Sequence, residues 1–326
     1  MSEAGRKPAS TLDTPAKTIE CVDGNETIPA EIINPLSYYP ESPFWKNGKL
    51  YYVEYSMHRV MSWDGVQNRV FWQQDGCGPA AITDFQNDFI VTCYDSNSIA
   101  RISSADGIHS QFVQSYRGYK GTNDFAHDSL GGVYFTASGV FTPQSPVEGK
   151  IYYISRDSQI HLVADGIHYS NGLAVIADGK YLLVSEHLEN RILEYAILQD
   201  GNLSSKPVRI FADLSQIENP EKDISGGLRG PDGMRLGPDG VLYVAQYGGS
   251  RVLKFRIDED GESQWIGQIQ FRSPYPNTDN VYLNTQNVFF GSAVEETTNP
   301  HYPGIIYAIH DAKISSRKKL VCEIRK

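Results

Sequence analysis

The chain has 326 residues and a formal net charge of -10. Nucleic-acid binding rests on Lys and Arg neutralising phosphates, so this balance argues against such a partner, and no uncharged apolar run approaches the length that crosses a membrane. A content of 40% hydrophobic residues supports a large buried core, and 20 Tyr with 29 Gly favour strands and turns. Residues 1–16 read as a flexible N-terminal segment without the apolar stretch of a leader peptide, and 17–326 as a single domain. The segment AKTIECVDGNETIPAEIIN, from Ala16, is expected to supply the outer strand of the last repeat unit. From Glu41 onward a unit recurs six times. An inner strand begins with ESPFW at 41, PAAIT at 79, NDFAH at 123, NGLAV at 171, DGMRL at 232 and DNVYL at 279. A middle strand follows as KLYYVEY, DFIVTCY, GVYFTAS, KYLLVSE, VLYVAQY and NVFFGSA, and a third as HRVMSW, NSIARI, GKIYYI, NRILEY, SRVLKF and GIIYAI. Turn signals at Asn47-Gly48, Asp178-Gly179 and Asp239-Gly240 join inner to middle strands. Less regular stretches such as RVFWQQ at 69, IHLVA at 160 and VRIFAD at 208 supply outer strands. Units of this size and strand count predict an all-β, six-bladed β-propeller.

Innermost strands line the central channel of such a ring, so their first residues crowd around one mouth. Pro-Asp-Gly occurs twice, and the two copies separate on this ground: Asp239-Gly240 is a hairpin turn, whereas Asp232 begins an inner strand. Glu41, Asn123, Asn171 and Asp232 hold equivalent positions and form a ring of hard oxygen donors. Each alone is an ordinary turn residue. Together, with water completing the shell, they suit Ca²⁺ in the central channel, with Mg²⁺, Mn²⁺ or Zn²⁺ as other divalent occupants of an all-oxygen site. His127, His168, His187, Glu186, Gln246 and Tyr247 lie near strand ends where a substrate pocket would form, and His127, Glu186, Gln246 and Tyr247 join Asn123 as candidate substrate contacts. Glu295-Glu296 reads as a solvated loop and Asp258-Glu259-Asp260-Gly261 as a hairpin tip. Cys21, Cys77, Cys93 and Cys322 show no metal-knuckle spacing and read as free thiols of a cytoplasmic protein, in which the acceptor triplets at Asn25 and Asn202 carry no glycan.

The stretches YPESPFW at 39, TNDFAHDSLGGVYFT at 122, SNGLAVIADGKYLLVSEHLENRILEY at 170 and GPDGMRLGPDGVLYVAQYGGSRVLKF at 230 resemble the gluconolactonase, senescence marker protein (regucalcin) and diisopropyl fluorophosphatase superfamily across nearly the whole chain. The resemblance implies a divalent metal, usually calcium, held by Glu41, Asn171 and Asp232. Asn123 would be a fourth ligand, or a contact to metal-bound water or substrate. It also implies Asp232 as the base or nucleophile of a hydrolase acting on a lactone or related ester. Two positions depart from the family pattern: Ser42 replaces the Gly after the first ligand, and Gly121 stands where the gluconolactonase branch carries an Arg that holds sugar hydroxyls. A small-molecule substrate and a monomer are expected. The alternatives are a lyase similar to strictosidine synthase, which would not need the metal, and a non-catalytic calcium-binding propeller.

Overall fold

A computed structural model of the chain describes residues 15–113, 118–218, 227–258, 261–272, 277–295 and 301–326. The expected flexible segment, apart from Pro15 and Ala16, lies outside these residues, as do Glu259, Asp260, Glu296 and much of the loop 217–230. Ala16 is buried and its amide donates to the Pro35 carbonyl (2.9 Å).

The strands build an all-β propeller. Its six innermost strands are Pro40–Lys46, Pro79–Phe85, Thr122–His127, Ser170–Ile176, Gly230–Leu236 and Asn277–Leu283. Each packs on the next, and the last packs on the first, which closes the ring. Five sheets have the four-stranded order inner, middle, third, outer. The expectation of a six-bladed propeller is corrected to these five four-stranded blades, because the remaining sheet is seven-stranded. Its strands Gly230–Leu236, Val241–Tyr247, Arg251–Ile257 and Ser263–Arg272 continue, through a parallel pairing, into the C-terminal strand Lys319–Arg325, which carries the N-terminal hairpin of Thr18–Asp23 and Glu26–Ile28. The N-terminal segment therefore serves two sheets. Only Ala30–Tyr38 takes the expected outer place beside Pro303–His310 in the last one.

Side chains alternate across a strand, and both faces of each sheet are covered by neighbours, so the middle strands read as unbroken apolar runs. Tyr51 and Val53 pack with Ile82, Phe89 and Val91 of the following sheet. Leu50 and Tyr52, on the opposite face, pack with Phe290 and Ile306 of the preceding one. The repeat signature has a local cause as well. His58, Asn97, Asn190 and Ser250, each just before a third strand, hold φ between 50° and 53°, the left-handed region that short polar side chains tolerate best.

All four cysteines are paired, which corrects the expectation of free thiols. Cys21 is bonded to Cys322, its direct partner in the antiparallel ladder, and Cys77 to Cys93. Spacing along the chain could not reveal the first bridge, because ring closure brings together residues 301 apart. With the thiols consumed, cysteine usage no longer supports a reducing compartment. Among the described residues no helix is long and apolar enough to cross a membrane.

Near this closure the fully buried Lys254 donates Nζ to the Ile314 carbonyl (2.6 Å) and to the Arg317 carbonyl. Burial pushes its pKa down to about 8, against the upward pull of Asp311, Asp23 and Asp239. Between that value and the unfolded one of roughly 10.4, the unfolded chain binds more protons. Stability linked to Lys254 therefore rises with pH through this window and is lost as pH falls through the folded value. Against Lys254→Met, the wild type is expected to gain up to about 3 kcal/mol between pH 8 and 10 in urea unfolding; a constant gap would show that the ammonium keeps its ordinary affinity for protons.

Candidate active site

Every inner strand carries a break in register near its start. The breaks fall between Glu41 and Phe44, Pro79 and Ala81, Thr122 and Phe125, Ser170 and Leu173, Pro231 and Met234, and Thr278 and Val281. Bulges of this kind re-aim side chains out of the pleat. Asn123, Asn171 and Asp232 lie inside them and Glu41 opens its own, which explains why these residues leave the strand pattern.

Hydroxyls of the middle strands hold the bulges in place. Thr92 accepts from the Ala81 amide (2.7 Å) within its own sheet and donates to the Asn123 carbonyl (2.5 Å) in the next. Thr136 likewise accepts from Asp124 (3.0 Å) and donates to the Asn171 carbonyl (2.9 Å), and Ser185 donates to the Asp232 carbonyl (2.8 Å). Sequence reasoning passed over this relay, although its signal is visible as a Thr or Ser at the same place in DFIVTCY, GVYFTAS, KYLLVSE and NVFFGSA. The bulges also pack closely. A Cβ on Gly172 would sit 2.2 Å from the Asp232 carbonyl oxygen, so only glycine fits after Asn171.

Asn123, Asn171 and Asp232 are buried and Glu41 is half-buried. The Asn171 carboxamide bonds the Asp232 carboxylate, and its nitrogen lies 3.4 Å from His187 Nδ1. His187 is itself fully buried, with Nε2 2.8 Å from the Leu228 carbonyl, and burial lowers its pKa to about 4, leaving a neutral ring behind Asn171. Burial, then repulsion from Asp232 and Asp124, pushes Glu41 well above the usual carboxylate range. Asp232 is raised by burial and by Asp124, against the lowering bond from Asn171.

Asp124 and Arg235, both overlooked in the sequence, form a two-pronged ion pair beside these residues, at 2.7 and 2.8 Å. Asp124 also accepts from the Phe125 and Leu173 amides. The guanidinium is thereby committed to Asp124, and Glu41 and Asp232 are left to repel each other. A buried and a half-buried carboxylate flanked by two carboxamides have the donor chemistry of a hard-cation site. Among the described residues no group of three or more His, Cys, Asp and Glu side chains is poised around a metal; half of the candidate donors are asparagines.

The other candidates are dispersed. Tyr247 lines, with Glu41 and Asn123, a cavity of about 240 Å³ at the channel mouth. Glu186 and Gln246 are buried in ladders beneath the mouth. Glu186 binds Arg191 (2.6 Å) and the His168 amide (3.0 Å), while Gln246 bonds Asn190 (2.9 Å) and Arg251 (2.7 Å). His168 faces Glu189 (2.7 Å) and the Ser145 carbonyl (3.0 Å). His127 ends the strand on which Asn123 lies near the start, and so falls in a different cavity, of about 300 Å³, beside Thr83 (2.8 Å) and Asp84 (3.2 Å).

Both departures from the family pattern have local reasons. Ser42 adopts φ 49°, the conformation for which glycine is best suited, and its hydroxyl accepts from the Ile82 amide (3.1 Å). Gly121, at φ 63°, has no room for a side chain: a Cβ there would lie 2.7 Å from the Tyr94 ring and 2.8 Å from the Gly139 carbonyl oxygen.

Fold and site together define a propeller with an acidic, carboxamide-flanked centre in its channel. The chain belongs to the SMP-30/Gluconolactonase/LRE-like region family, which it matches over residues 39–277. It is similar to the lactonase drp35 of Staphylococcus haemolyticus, 30% identical over 183 residues, a match that spans 54% of this chain and 53% of the relative. The chain thus spans about half the length of that curated relative. Among solved structures it resembles a luciferin-regenerating enzyme (TM-score 0.69, 19% identity, covering 87% of this chain and 96% of the other). It also resembles the calcium-binding protein regucalcin of Agrobacterium tumefaciens (TM-score 0.67, 14% identity, covering 87% and 95%). At such identities these likenesses concern the fold alone.

Proposed function

We propose that the chain is a metal-dependent hydrolase that opens a lactone or a related ester at the channel mouth. The observation that carries this reading is the placement of Glu41 and Asp232 at equivalent bulges of the inner strands, with Asp232 buried and bonded to Asn171. Membership of a family that includes gluconolactonases, and the likeness to a lactonase, support it.

Glu41, Asn123, Asn171 and Asp232 would hold the ion, calcium by the hardness of their oxygens. When bound, a divalent cation supplies Lewis acidity at the substrate carbonyl oxygen. The residues themselves do the rest. Asn171, backed by neutral His187, fixes the Asp232 carboxylate. A carboxylate held in place beside the substrate is suited to take a proton from water. As the water oxygen bonds to the acyl carbon, an Asp232 oxygen takes its proton. The bond from acyl carbon to ring oxygen then breaks, and the same proton passes to the leaving oxygen, giving a hydroxy acid.

The test is a panel of lactones and esters assayed as prepared, with EDTA, and with calcium restored. Turnover is expected to fall at least tenfold with chelator and to return with calcium. Chelator-insensitive turnover would favour the lyase class, and calcium binding without turnover of any panel member would favour a non-catalytic propeller.

A further inference from the structure

Above Glu41 and Asn123 the channel mouth is walled by aromatic rings. Tyr302 meets Tyr39 (ring centroids 5.6 Å apart), Tyr39 meets Tyr55 (5.4 Å), and Tyr55 meets Tyr94 (6.2 Å), all tilted or edge-to-face. From Tyr94 the wall continues to Tyr169 through their hydroxyls (3.2 Å), then to Phe141 (4.8 Å) and on to Tyr247 (5.6 Å). All seven line the cavity of about 240 Å³, where Glu41, Asn123 and Ala80 are the other lining residues. None of these is cationic.

Three of the six tyrosine hydroxyls in this wall donate within the protein. Tyr55 donates to Asp95 (2.6 Å), Tyr94 to the Gly139 carbonyl (2.9 Å) and Tyr169 to Tyr94 (3.2 Å). These three offer a ligand their rings and an acceptor oxygen rather than a fresh donor. A polyhydroxylated molecule entering here would exchange its many hydrogen bonds to water for those that Glu41, Asn123 and part of the wall can return, which is costly for each hydroxyl left unsatisfied. A flat ring loses little hydration and gains edge and face contacts all round. The tight fit of Tyr94 against Gly121 keeps this wall closed to a longer polar side chain from below.

We propose that this aromatic collar selects a lactone or ester built on a small neutral aromatic ring system, in preference to a sugar lactone. The proposal rests on the hydrolase reading above, which assigns the carboxylates beneath the collar to the ion and leaves the collar to the organic part of the substrate.

Two measurements on the full chain test it. In calcium buffer, kcat/KM is compared for a benzo-fused six-membered lactone, an unsubstituted aliphatic lactone and a sugar lactone. Separately, the lactam counterpart of the benzo-fused lactone, which resists hydrolysis, is titrated by calorimetry. The aromatic lactone is expected to exceed the sugar lactone by about 100-fold, since several aromatic contacts each contribute a few-fold. In Tyr302→Ala, its advantage over the aliphatic lactone should drop by about tenfold and lactam affinity should fall in step, with Tyr302→Phe keeping both. A sugar lactone turned over as well as the aromatic one would overturn the proposal, as would binding of benzylammonium but not of the neutral lactam. Lactam binding that Tyr302→Ala weakens, in a chain that hydrolyses none of the lactones, would support the collar's preference while removing the hydrolase reading.

Discussion

Asparagine in place of Asp232 is expected to lower lactone turnover by about 10²–10⁴-fold, the usual contribution of a positioned base, while the protein stays folded. The carboxamide has nearly the same shape and keeps one oxygen for the Gly233 amide, so the bulge persists. What disappears is a negative charge that Asp124 and Glu41 both repel. In chelator the variant should therefore melt at the same temperature as the wild type or higher, a gain in stability bought with activity. Steady-state kinetics with calcium and thermal melts with EDTA read the two effects separately. Full turnover in the metal-loaded variant would remove Asp232 from the mechanism. A melting point several degrees lower would show that the carboxylate is a net stabiliser even without an ion.

The second large effect concerns closure. Cys21–Cys322 links residues 301 apart, and Cys77–Cys93 links residues only 16 apart. On the loop-entropy account the first restricts the unfolded chain by about 5 to 6 kcal/mol and the second by about 3 kcal/mol. Measured effects usually run lower, so replacing Cys21 and Cys322 by alanine is expected to cost about 2–5 kcal/mol, and more than the matching change at Cys77 and Cys93. Denaturant unfolding of the two double variants in parallel gives the comparison. Equal losses would mean that strain or packing around each bridge, not the length of chain it spans, sets its worth.

The strands were legible because their causes are local. A middle strand covered on both faces must be apolar throughout, as KYLLVSE is, and the residue opening a third strand must tolerate a left-handed backbone, as Asn97 and Asn190 do. The equivalence of Glu41, Asn123, Asn171 and Asp232 was legible for the same reason, since a repeat converts position in the unit into position in the ring. Relations across the ring were hidden. Asp124 and Arg235 are 111 residues apart, and nothing in NDFAH or DGMRL marks them as a pair. His127 was assigned to the mouth because it ends a strand, but Thr122–His127 runs along the channel, and its two ends open on different cavities. The seven-stranded sheet was hidden too, because the parallel pairing of Gln268 with Lys319 follows no repeat. The aromatic collar is assembled from five of the six sheets and their loops, so its members share no spacing.

The way the termini are stitched together bears on how the protein is made. Ala30–Tyr38 is made before every intervening sheet, yet its partner Pro303–His310 comes only after them, and Thr18–Asp23 must wait longer still for Lys319–Arg325. Throughout elongation a nascent chain thus carries unpaired edges with nothing to dock on, and such edges invite pairing with other chains. The first seam can form only once Pro303–His310 has been made and the second only after Lys319–Arg325, so loss of either strand opens the closure of the ring.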